Sequence, residues 1–89
     1  MSSIQEDMMK IVRLNQLQRE IDSLFDEFKR LSAIDNFLFS CIMLANNDVV
    51  FIPLNLLWTW KLENLVKIFG INDQLGGMRK KFVELAPSN

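Results

Sequence analysis

Four acidic residues, Glu20, Asp22, Asp26 and Glu27, and one basic run, Arg79-Lys80-Lys81, have the types and spacing to do chemistry in this chain. Clustered carboxylates could work as a general acid–base pair or hold a divalent cation. These four are interleaved with Arg19, Lys29 and Arg30, so on a helix they read as a solvated face of mixed sign. The partners that catalysis needs are missing. The chain has no histidine and no tyrosine, and no serine stands in a nucleophile-elbow setting. No glycine-rich loop resembles a phosphate cradle, and Gly76-Gly77 alone carries no such meaning. Cys41, the single cysteine, lies in Phe39-Ser40-Cys41-Ile42 and reads as a small buried hydrophobe. Without a second thiol or an imidazole it supports neither an intrachain disulfide nor a zinc site. The chain is expected to be non-enzymatic, with no cofactor, no metal and no small-molecule substrate.

The basic run admits one sharper reading. In "LENLVKIFGINDQLGGMRKKF", Leu65, Val66, Phe69 and Ile71 surround Gly70 much as in a helix-turn-helix, with Asn72 to Phe82 as the recognition helix. Gln74 would then face bases, and Arg79, Lys80 and Lys81 would meet phosphates. Against it stand a net charge of −1, two glycines inside the recognition helix, and cations at its C-terminal rather than its base-reading end. Near a helix C-terminus the same cations simply complement the helix dipole. Nucleic-acid binding over residues 62–85 is therefore the alternative, not the leading expectation.

The elements that would carry any such surface can be traced along the chain. Ser3-Ile4-Gln5-Glu6 fits a capping box, and Glu6 and Asp7 place negative charge at the positive end of a helix dipole. From there no glycine or proline occurs until Pro53. Leu14, Ile21 and Phe28 form one heptad column and Leu17, Leu24 and Leu31 the other, a coiled-coil-like seam. Asp35 falls where the next seam residue belongs, and Leu38 and Ile42 resume the columns. The helix either runs to about Ala45 or pauses between Ser32 and Asn36, with Ser32 or Asp35 capping a second helix. Asn46-Asn47-Asp48 is a turn signal, and the β-branched run closed by Pro53 predicts extended backbone over 49–53. The rival reading pairs 37–45 with 49–54 as a β-hairpin and makes the fold α+β. Poor strand alternation and good helix formers disfavour it.

Pro53 or Asn55 opens the next helix, on which Trp58, Leu62, Leu65, Val66 and Phe69 share a face expected to be buried. Gly70 is expected to cap that helix, and Asn72 or Asp73 to start a last one with Leu75, Met78, Phe82 and Leu85 on one side. The expected fold is mainly α: a long amphipathic N-terminal helix followed by a compact apolar helical segment. The expected organisation is one small domain over 1–89, with 1–36 as a helical arm, 37–85 as an apolar core and 86–89 as a loose tail.

Most residues between Phe37 and Ile71 are large and apolar, more than a chain of 89 residues has cover for. Composition argues against lipid as the cover: Asn46, Asn47, Asp48, Pro53 and Asn55 interrupt the run well short of the roughly 20 apolar residues a span needs. A second copy or a protein partner is the expected cover. The expected contacts are Leu14, Leu17, Ile21, Leu24, Phe28 and Leu31 in one interface and Trp58 and Trp60 in a second. The two tryptophans are two residues apart, so one should be core and the other contact. The function class is an adaptor, inhibitor, assembly factor or small structural subunit. A lone cysteine and the absence of an export signal point to an intracellular, by default cytoplasmic, setting.

Overall fold

A computed structural model describes residues 4–48 and 51–86, which form two helices, α1 (Ile4–Asn46) and α2 (Leu54–Leu85). Partners across the pair run in opposite directions. Leu31 meets Asn64, Asp35 meets Lys61, and Leu38 and Ile42 meet Leu57. The fold is an antiparallel helical hairpin of 71 × 19 × 14 Å. Its radius of gyration is 20.1 Å, against about 12 Å for a compact domain of this length.

The heptad columns of α1 explain the pairing. They continue past Leu31 through Asp35, Leu38, Ile42 and Ala45, while α2 answers with Leu57, Lys61, Asn64, Ile68, Ile71, Leu75, Met78, Phe82 and Leu85. Both series alternate in steps of three and four, the spacing that keeps two supercoiled helices in register. Leu17, Leu31, Leu38, Ile42, Leu57 and Leu75 are buried along this seam. Its densest part lies at the turn end, where Ile34, Cys41, Ala45 and Ile52 pack around Leu38, Ile42 and Leu57.

No pause interrupts α1 between Ser32 and Asn36. Asp35 does not cap a second helix; its carboxylate accepts from Lys61 Nζ at 2.7 Å across the seam. Nor do 37–45 and 49–54 form a β-hairpin: residues 37–45 are helical, as good helix formers with one buried stripe should be, and no strand occurs among the described residues. The turn falls at the expected place. Asn47 N–H donates to the Leu44 carbonyl, Asp48 N–H donates to that of Ala45, and Asp48 adopts φ 58°, which its short polar side chain tolerates. Phe51 to Pro53 are non-helical, and the Pro53 carbonyl accepts from Leu57 N–H at 3.2 Å to start α2. The Ser3 cap, Val49, Val50 and residues 87–89 lie outside the described residues.

Gly70 caps nothing. α2 passes through it and through Gly76-Gly77 with no glycine at positive φ, so there is no separate last helix begun by Asn72 or Asp73. Each helical glycine costs about 1 kcal/mol relative to alanine, but stopping at Gly70 would unbury Leu75 and strand Met78, Phe82 and Leu85. α2 ends instead at Ala86, extended as a residue before proline prefers, with its N–H bonded to the Phe82 carbonyl at 2.8 Å. A β-carbon on Gly70 would meet nothing within 4 Å. Gly70→Ala should therefore stabilise the hairpin by about 0.5–1 kcal/mol and raise the thermal midpoint by several degrees. A lowered midpoint in a thermal melt would contradict an uninterrupted α2.

Candidate functional site

The seam residues expected to face another chain face α2. Leu17 and Leu31 are buried, and Leu14, Ile21, Leu24 and Phe28 are half-buried in the same columns. The cover comes from within, because α2 runs back antiparallel to α1 along the columns.

Two polar contacts sit inside this seam. Asn64, a buried polar residue, donates from Nδ2 to the Leu31 carbonyl at 2.8 Å. One turn away lies the Lys61–Asp35 pair, with side chains 13% and 23% exposed. An ammonium and an amide at seam positions are satisfied in one register and one rotation of α2 only, which is the role polar seam residues play in coiled coils.

That rotation decides what remains outside, and it reverses one expectation. The face made of Trp58, Leu62, Leu65, Val66 and Phe69 is not the buried one. Its axis lies about 120° around α2 from the seam, and Val66 is 70% exposed. Neither tryptophan is core: Trp58 is 47% and Trp60 43% exposed, on opposite flanks of α2. The two flanks of the hairpin differ in chemistry. On the Trp60 side a shallow groove is lined by Arg30, Ile34, Glu63 and Lys67 among others. There Glu27 receives a bidentate contact from Arg30, whose hydrogen bond holds the Glu27 carboxyl below its usual range, and Lys67 across the groove adds to the effect. On the Trp58 side, α2 presents Trp58, Leu62 and Phe69 while α1 presents Phe25, Phe39 and Met43, all exposed. Phe25 and Phe28 stack at 6.3 Å, with Lys29 Nζ 4.7 Å above the Phe25 ring at the rim. A third apolar area, including Ile4, Met8 and Met9, lies at the start of α1.

Gln74, Arg79, Lys80 and Lys81 are exposed on α2, one turn or more before its end. Successive residues point about 100° apart, so the three cations fan round the helix instead of sharing a face. With Gly70 inside α2, the helix-turn-helix geometry behind the nucleic-acid alternative is absent. No group of three or more Cys, Asp or Glu residues among the described ones is placed to hold a metal ion, and no described helix is long and apolar enough to cross a membrane. Comparison with protein-family models, with curated proteins and with solved structures finds no match.

The Trp58 side is legible in the sequence as an apolar stripe, but it lies outside and not, as its composition suggests, against the core. The signal that separates the two stripes is length: the Leu57 columns keep their three–four alternation to Leu85, whereas the large residues of the Trp58 stripe stop at Phe69.

Proposed function

We propose that this protein is a non-enzymatic protein–protein interaction module of the adaptor, inhibitor, assembly-factor or small-subunit kind, acting through the Trp58 side of its hairpin. One observation carries the reading: a self-satisfied helical pair holds a contiguous row of large apolar side chains outward. Polar cross-links at Lys61 and Asn64 fix the row in place. A rigid helix face of aromatic and aliphatic anchors is what groove-binding and bundle-forming partners recognise, and patches of this kind mark interfaces.

The double variant Leu62→Glu/Phe69→Glu tests it, because both side chains are exposed and neither supports the seam. The wild type should bind an apolar reporter dye or be associated in solution. The variant should lose both properties while keeping its far-ultraviolet circular dichroism. A wild-type monomer that binds no dye would refute the reading.

A further inference from the structure

We propose that the occupant of the Trp58 side is a second copy of this chain, docked through α2 against α2 in antiparallel orientation, so that two hairpins form a four-helix assembly. This rests on the reading of that side as an interaction surface and adds the identity and geometry of the partner.

Area argues for an occupant of this size. A compact chain of 10.4 kDa exposes about 5,400 Å², whereas this one exposes 7059 Å². The excess, roughly 1,700 Å² per chain, is about twice what each partner contributes to a standard interface and falls in the range of obligate ones.

Order along α2 argues for a copy. Trp58, Leu62, Leu65, Phe69, Asn72 and Gly76 follow one another in steps of four and three, a second seam beside the first. None is charged, and the two ends differ most in size, tryptophan at one and glycine at the other. An antiparallel partner sets the largest side chain of each copy against the glycine of the other. With the two-fold axis crossing the stripe midway between Leu65 and Phe69, Trp58 of each copy meets Gly76 of the other, Leu62 meets Asn72, and Leu65 meets Phe69. The match also explains a glycine that the hairpin does not. A β-carbon on Gly76 would touch nothing within 4 Å in its own chain, so its own fold gives no reason for so poor a helix former there. An indole arriving from a two-fold partner does.

Sedimentation or light scattering on the full chain provides the test. The wild type should have twice the 10.4 kDa mass. Gly76→Trp should be monomeric, because two indoles then compete for one space, and Trp58→Ala should weaken the dimer at least about tenfold. Combining the two, Trp58→Ala/Gly76→Trp, should restore the dimer with the bulky and small positions exchanged. Recovery is a result that damage to the fold cannot imitate, and circular dichroism should show all three variants helical. A monomeric wild type overturns the second copy. If that monomer still binds the apolar dye, the interaction-surface reading stands without it; if it does not, both fail. Dissociation by the single variants without recovery in the double one overturns the Trp58–Gly76 pairing.

Discussion

Leu57→Ala should remove a large share of the stability of this hairpin, about 2–5 kcal/mol, the usual cost of deleting a buried leucine side chain. Leu57 is 1% exposed and packs on Leu38 and Ile42 where the two helices meet the turn. The position is unusually sensitive for a geometric reason. A hairpin only two helices thick has one line of core, so a cavity at Leu57 cannot be closed by a neighbouring layer. Loss of packing there also loosens Ile52, and with it the segment that returns α2 onto α1. A chain this small stands near the lower end of the usual 5–15 kcal/mol, so the substitution should lower the thermal midpoint by more than about 10 °C. Val12→Ala, at an exposed position on the same hairpin, should change stability by no more than about 0.5 kcal/mol. Thermal and urea unfolding followed by circular dichroism measure both. A Leu57→Ala loss below about 1 kcal/mol would show that the turn end is not the packed centre of the molecule.

The columns from Leu14 to Leu31 were legible in the sequence because alternating three–four spacing is a direct projection of helix geometry onto residue order. So were the turn at Asn46-Asn47-Asp48 and the entry at Pro53, where backbone chemistry is local. What covers the columns was not legible. Periodicity defines a face and says nothing about whether the cover comes from the same chain. On α2 the difficulty doubled, since Leu57 and Trp58 each begin an apolar series and either could be the inner one. Charged and amide groups such as Lys61 and Asn64 usually lie on an outer face. They are inner because each finds a specific partner on α1. Gly70 misled for a related reason. A glycine after an apolar run resembles a helix end when only neighbouring residues are weighed, but Leu75 to Leu85 reward continuation.

Asp35→Lys should cost about 3 kcal/mol or more, a penalty out of proportion to that of an ordinary salt bridge. The Asp35 carboxylate lies 2.7 Å from Lys61 Nζ between the Leu31–Asn64 contact and the Leu38–Leu57 contact, and both side chains are mostly shielded from water. Removing one member of a shielded pair leaves the other charge uncompensated, and a second ammonium adds repulsion. The exchanged pair, Asp35→Lys/Lys61→Asp, should recover most of the loss, since the same charges again face each other across the seam. Replacing both by leucine should leave stability equal or higher, because buried ion pairs seldom outperform well-packed apolar groups. That double leucine variant isolates what the pair contributes beyond energy. With the ion pair gone, Asn64 alone ties the rotation of α2 to α1, and the Leu57 and Trp58 stripes become closer competitors for the inner position. The Trp58 side is then no longer presented in one orientation, and association of the chain in solution should weaken. If the double leucine variant keeps the association of the wild type unchanged, the ion pair does not orient α2. If Asp35→Lys melts within a few degrees of the wild type, Asp35 and Lys61 do not meet inside the seam at all.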